Sequence, residues 1–202
     1  MDADDDAVRE LSLRAKAVLR QRARALRNTM PAPALAARSG RIVTGVLSLG
    51  AVVRADSVAL FWPILTRNEI DLRPLDAALR AQGKRVAYPA IDPDTDRMVF
   101  RWVAVPESME ERGLGFRDPG ADAPEVDRLD VIVVPALQVD PRGYRLGYGR
   151  GYYDRTLPRY RPPAVAVCVA YDFQLVQDLP ITEGDVAVDI VLTDERTIEV
   201  SV

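Results

Sequence analysis

The chain has 202 residues, 48% of them hydrophobic, and a formal net charge of −3. That length supports one substantial core and a single domain over residues 7–202, and the small net charge argues against general attraction to nucleic acid. With no histidine and one cysteine, the sequence excludes Ser-His and Cys-His nucleophile pairs, histidine bases, histidine metal sites and intrachain disulfides.

Residues 1–6 read as an acidic tail, expected to be disordered. No apolar run approaches a membrane span and the first residues are acidic rather than signal-like, so a cytoplasmic protein without membrane contact is expected. From about Ala7 to Met30 the spacing predicts a helix with Val8, Leu11, Ala15, Leu19, Leu26 and Met30 on its inward face. Beside that face runs a basic stripe, Arg9, Lys16, Arg20 and Arg27. A solvated charged face is the ordinary reading of such a stripe. The functional reading is that Lys16 and Arg20, one turn apart, reach a polyanion held elsewhere on the protein.

Pro31 and Pro33 break this helix, and a second is predicted over about Leu35–Leu49. Ser57–Trp62 reads as a strand stopped by Pro63, followed by a polar turn from Ile64 to Asp71. An amphipathic helix over about Arg73–Gln82 and a strand over Lys84–Tyr88 come next. This alternation is the rhythm of a parallel α/β sheet. A turn at Asp92–Asp96, a strand at Met98–Val103, a short helix at Glu107–Gly115 and a surface loop at Phe116–Asp127 lead to the buried strand Val131–Val134, closed by Pro135. After it are predicted a helix at Tyr152–Tyr160, a strand at Ala164–Ala170 with a buried, inert Cys168, a turn-helix segment at Phe173–Leu179, a closing segment at Asp185–Thr193 and a hairpin-like end at Thr197–Val202.

The chemistry concentrates directly behind the buried strand, where α/β proteins place ligands. Arg145-Leu146-Gly147-Tyr148-Gly149-Arg150-Gly151-Tyr152-Tyr153-Asp154 has glycine at alternate positions, so its backbone N–H groups can come close to an anion. Arg145 and Arg150 add forked donors that match phosphate oxygens, and Asp154 is a hard oxygen ligand of the kind Mg²⁺ accepts beside nucleotide phosphates. The spacing is neither a dinucleotide fingerprint nor a Walker loop. A tyrosine-rich surface loop is the ordinary alternative.

Four motifs occur in order: Lys16-x-x-Leu19-Arg20; Glu69-Ile70-Asp71; Val134-Pro135 leading into Asp140-x-x-Gly143-x-Arg145 and the glycine run to Asp154; and Gln174 followed by Asp185. Together they resemble the 5-formyltetrahydrofolate cyclo-ligase family, also called methenyltetrahydrofolate synthetase, over about Lys16–Thr193. The resemblance implies a three-layer α/β sandwich with a mostly parallel central sheet, related to the ribose-5-phosphate isomerase and CoA-transferase group. It also implies a reaction that uses MgATP to convert 5-formyltetrahydrofolate into 5,10-methenyltetrahydrofolate, releasing ADP and phosphate. ATP contacts are implied for Lys16, Arg20 and the run Arg145, Leu146, Gly147, Tyr148, Gly149, Arg150, Gly151, Tyr152 and Tyr153. Folate contacts are implied for Trp62, Glu69, Tyr148, Gly149, Arg150, Gly151 and Tyr152, catalytic work for Arg145, Arg150, Tyr152 and Asp154, and Mg²⁺ ligation for Asp154 and Asp185. The implied setting is a monomer or weak dimer acting on a small molecule, with no nucleic-acid partner.

Such a reaction suits a chain without histidine, because both nucleophiles belong to the substrate and the protein need only align ligands and stabilise charge. Each residue also has an ordinary alternative: Glu69 as the acid at the start of the next helix, Asp185 as a turn cap, Tyr153 as core packing and Trp62 as a buried strand end. Rival functions are a non-catalytic nucleotide- or folate-binding paralogue, an RNA-binding protein using the first helix, and a sugar-phosphate isomerase of the related fold.

Overall fold

The computed structural model describes residues 3–92, 94–112 and 116–201. Helix α1 spans Ala3–Thr29, α2 Ala32–Ser48 and α3 Gly50–Arg54. Strand β1 is Ser57–Ala59, α4 Arg73–Ala81, β2 Arg85–Asp92 and β3 Arg97–Trp102. A small hairpin pairs β4, Glu110–Glu111, with β5, Arg117–Asp118. Then come β6, Val131–Pro135, a second hairpin of β7, Gln138–Val139, and β8, Arg145–Leu146, and helix α5, Tyr152–Tyr160. Strands β9, Val165–Ala170, β10, Ile190–Thr193, and β11, Thr197–Glu199, close the chain.

Among the described residues the central sheet has seven strands in the order β11-β10-β9-β6-β1-β2-β3. The strands from β10 to β2 are parallel, and β11 and β3 are antiparallel edges. Side-chain alternation divides the interior into two cores. Val131 and Val133 face one with Ile42, Val46, Leu75 and Leu79 of α2 and α4, whereas Ile132 and Val134 face the other with Leu157 and Tyr160 of α5. Strands covered on both faces favour the unbroken apolar runs seen at β6 and β9, and each fully buried Val, Leu or Ile contributes about 1.5–3 kcal/mol. The three-layer α/β sandwich with a mostly parallel sheet is therefore the architecture of the chain. Cys168 in β9 is fully buried, and burial pushes its thiol up to about 12, which leaves it unreactive.

Several local expectations change. Helix α1 already includes Ala3–Asp6, assigned above to a disordered tail; acidic residue types are favoured at a helix start by the helix dipole. More consequentially, most of its expected inner face points outward, although Leu19 is half-buried and Met30 packs against the core: Val8 is 62% and Leu11 65% exposed, while Lys16 is 6%, Ala23 5% and Arg27 4% exposed. Periodicity identified the helix but not the face it buries. The expected helix at Glu107–Gly115 is a 3-10 turn, Pro106–Ser108, followed by β4, because the chain there finds a strand partner in β5; residues 113–115 lie outside the described residues. The expected helix after Phe173 is only a 3-10 turn, Asp172–Gln174, and the strand expected to reach Trp62 forms a ladder over Ser57–Ala59, with Leu60 N–H still donating to Ala87 O at 2.9 Å.

Candidate active site

A cavity of about 410 Å³ opens beyond the carboxyl ends of β1 and β6, where open parallel sheets place ligands. Every candidate residue named from the sequence lines it: Lys16 and Arg20 from α1, Trp62 and Glu69 from the segment after β1, the run from Arg145 to Asp154, and Asp185 before β10. Chain segments far apart in sequence thus converge on one chamber. Its lining combines cations and glycine-loop backbone with the apolar side chains of Phe61, Trp62, Ile64, Pro89, Ile91, Met98, Phe116 and Leu137.

The loop after β6 is held open by residues that do not reach the cavity. Asp140 is fully buried and accepts from the N–H groups of Arg142, Tyr144 and Leu179 and from the Arg142 guanidinium. Gly143 has φ +82°, and a Cβ there would lie 2.7 Å from Val188 O, so only glycine fits the crossing. Gln174 donates to Ala136 O and Leu137 O and accepts from Tyr171 N–H, bracing the same loop from beneath. Asp140, Gly143 and Gln174 are therefore structural parts of the motifs that contain them.

Arg145 is almost fully buried; it donates to Asp154 Oδ1 at 2.9 Å and to Val186 O at 2.6 Å. Val186 N–H also donates to Asp154 Oδ1, so the segment after Asp185 is tied to the first turn of α5. Lys16 forms an ion pair with Asp185 Oδ2 and donates to Thr182 Oγ1 at 2.7 Å. Asp185 Oδ2 also accepts from Thr182 N–H at 2.7 Å, so it caps a turn while it faces the cavity. Asp154 Oδ2 and Asp185 Oδ1 receive no protein bond among the described residues. These are hard oxygen donors of the kind a divalent cation accepts, while no group of three or more His, Cys, Asp or Glu side chains placed to hold a metal ion occurs among the described residues.

Arg20 donates from Nε to Gly147 O at 3.0 Å, and its guanidinium lies against Gly149, where φ is +108° and a Cβ would sit 3.4 Å from Cζ. Burial and the neighbouring Arg24 lower the Arg20 pKa. Arg150 is exposed at the cavity mouth. Tyr152 donates to Asp96 Oδ1 at 2.6 Å, and that bond, with burial, raises its pKa. Tyr153 packs against Phe100 at 6.4 Å between ring centroids while also reaching the cavity, and burial raises its pKa. Trp62 meets Tyr88 edge to face at 5.9 Å, with the Arg117 guanidinium 5.3 Å from its ring.

Glu69 does not start α4, which begins at Arg73 with Leu72 as its cap. It is a buried acid: Oε2 accepts from Ile64 N–H at 2.9 Å and Oε1 accepts from the Tyr148 hydroxyl. The Tyr148 oxygen in turn accepts from Arg27 at 2.7 Å. Burial and the Glu69 carboxylate raise the Tyr148 pKa, offset in part by Arg27, so the phenol remains a donor. Arg27, Arg67 and Thr182 were not singled out as site residues from the sequence. Arg27 lay in the basic stripe of α1 and carried the only available signal, whereas Arg67 and Thr182 sit in irregular segments without a repeat to mark them.

Fold and cavity together define a class: an α/β protein whose cationic glycine loop and apolar side chains line one cavity at the carboxyl ends of parallel strands. Comparison with known proteins makes the class specific. Residues 12–194 match the model of the 5-formyltetrahydrofolate cyclo-ligase family. The 5-formyltetrahydrofolate cyclo-ligase of Escherichia coli K12 is 33% identical over 161 residues, covering 77% of this chain and 87% of that one. The enzyme of the same name from Mycolicibacterium smegmatis is 32% identical over 164 residues, covering 79% and 77%. The NMR structure of Aquifex aeolicus 5,10-methenyltetrahydrofolate synthetase superposes with a TM-score of 0.79 at 29% identity, covering 92% of each chain. This chain belongs to the 5-formyltetrahydrofolate cyclo-ligase family.

Proposed function

We propose that the cavity closes 5-formyltetrahydrofolate to 5,10-methenyltetrahydrofolate at the expense of ATP. The observation that carries this reading is the convergence of the α1 cations, the glycine run, Asp154, Asp185, Trp62 and Glu69 on one chamber of about 410 Å³. Lys16, Arg20 and the segment Arg145–Tyr153 form the nucleotide side. Trp62 and Glu69 form the folate side, with Tyr148, Gly149, Arg150, Gly151 and Tyr152 between the two. Asp154 and Asp185 would hold Mg²⁺, which when bound offsets phosphate charge.

In this reading the formyl oxygen forms a bond to the γ-phosphorus as the bond to ADP breaks. The N10 lone pair then adds to the activated carbon and N10 gives up its proton. Phosphate leaves with the electrons of the C–O bond. Arg145 and Arg150 stabilise charge on the transferring group, Tyr152 borders it, and Arg145 also holds Asp154 in place. Glu69 has lone pairs left on both oxygens to accept from pterin N–H groups. Folded around two ligands, the cavity supplies alignment and exclusion of water rather than a nucleophile.

Mixing the purified protein with MgATP and 5-formyltetrahydrofolate and following methenyl absorbance tests the reading. Absorbance growth that requires ATP is expected. Calorimetric binding of both ligands with no absorbance change would instead identify a non-catalytic paralogue.

A further inference from the structure

Arg27 is buried on α1, and no acidic side chain forms an ion pair with it among the described residues. Its Nη2 donates to the Tyr148 hydroxyl, and its Nε has no hydrogen-bond partner there. Its backbone carbonyl is within 3.4 Å of the Asn68 side-chain amide, next to Glu69. Glu69, 9% exposed at the edge of the main cavity, likewise lacks a direct cationic partner among the described residues. Two opposite charges thus sit inside the protein with one phenol between them. Isolated buried charges are costly, and removing one partner leaves the other uncompensated.

The direction of the relay is fixed by donor chemistry. A guanidinium can only donate, so the Tyr148 oxygen must accept from Arg27, and its single proton is committed to Glu69. Arg27 also lies 6.0 Å from the centre of the Tyr148 ring, with Arg67 5.4 Å from it, so the tyrosine is held by cations as well as by its hydroxyl. Beside the relay, a chamber of about 10 Å³ is lined by Arg27, Glu69 and Gln174 among others.

We propose that Arg27 is a positioning residue for the folate half of the cavity: through Tyr148 it orients and charge-balances the Glu69 carboxylate that receives the substrate. The inference rests on the functional reading above. It extends α1 from a nucleotide-binding helix to one that spans both ligands, because Lys16, Arg20 and Arg27 share its inward stripe. Arg27 itself lines the small chamber and not the main cavity, so it acts through Tyr148 rather than on the substrate.

The test is a double-mutant cycle with Arg27→Gln and Tyr148→Phe, measuring kcat and KM separately for 5-formyltetrahydrofolate and MgATP. Each single variant is expected to lose about tenfold in kcat/KM for the folate, KM for MgATP is expected to change less than about twofold in Arg27→Gln, and the double variant is expected to lose no more than the worse single. Running the cycle with Arg27→Lys, which keeps the buried positive charge, guards against misfolding; it should give a smaller single loss and the same non-additivity. Equal damage to both substrates or wild-type folate kinetics in Arg27→Gln, or fully additive losses in the cycle, would overturn the proposal while leaving the cyclo-ligase reading intact. A wild-type protein without methenyl formation would overturn both.

Discussion

Helices α1 and α2 follow one another in the chain and are attached to it by different forces. The buried residues of α2 are Leu35, Ser39, Ile42, Val43 and Val46, pressed into the core beneath the sheet. Those of α1 among residues 8–29 are Lys16, Ala23 and Arg27, while Val8, Leu11, Val18 and Leu26 remain exposed. Helix α2 is held by the hydrophobic effect and is part of the scaffold. Helix α1 is held by the functional cavity, through Asp185 and Thr182, Gly147 O and Tyr148. A helix attached through polar groups of the site can respond to what occupies that site, which a helix buried in the core cannot.

Substitutions divide along that line. The largest effect is expected at the charges around the cavity: Asp154→Asn or Lys16→Ala should lower kcat/KM by about 100-fold or more with the sheet core intact, as steady-state kinetics and the denaturant midpoint together report. Wild-type rates in either variant would remove that residue from the reactive half. Ile42→Ala, in the fully buried stripe of α2, should cost about 2–5 kcal/mol of stability and leave the kinetics of the folded fraction unchanged.

A smaller effect is expected at Asp194, which accepts from Arg38 and Arg41 of α2 and from Asp172 N–H. Burial opposes its charged form, but these bonds outweigh it and leave the pKa below the ordinary aspartate value. Its contribution is therefore present above the unfolded pKa and lost as pH falls through the lower folded value, below about pH 4. Asp194→Asn should lower stability at neutral pH and flatten that acid limb in unfolding curves; an unchanged limb would show that the network is not the acid-sensitive element. The smallest effect is expected for Leu11→Ala on the outward face of α1, within about 0.5 kcal/mol of wild type, and a loss comparable with that of Ile42→Ala would break the contrast between the helices.

How far the sequence reaches follows the same division. The runs at Val131–Val134 and Ala164–Ala170 were legible as buried strands, because apolar β-branched residues covered on both sides leave little alternative. The candidate cavity was legible for a different reason: cations, glycines and carboxylates are concentrated without any need of the core. The buried face of α1 was not legible, since apolar periodicity assumes that burial is driven by apolar residues, and here cations are buried against partners over a hundred positions away. Asp140 and Gln174 show the converse, polar motif residues whose bonds fix the loop rather than a ligand. The relay from Arg27 to Glu69 requires three separate segments to meet, and no local pattern encodes that meeting.

The most direct measurement of the central claim is the stoichiometry of the reaction, with phosphate release and methenyl absorbance followed together in one sample of MgATP, 5-formyltetrahydrofolate and protein. The expected result is one phosphate per methenyl group formed, with both signals lost together in Asp154→Asn. Phosphate release by the wild-type protein without methenyl formation, or methenyl formation without phosphate release, would contradict it.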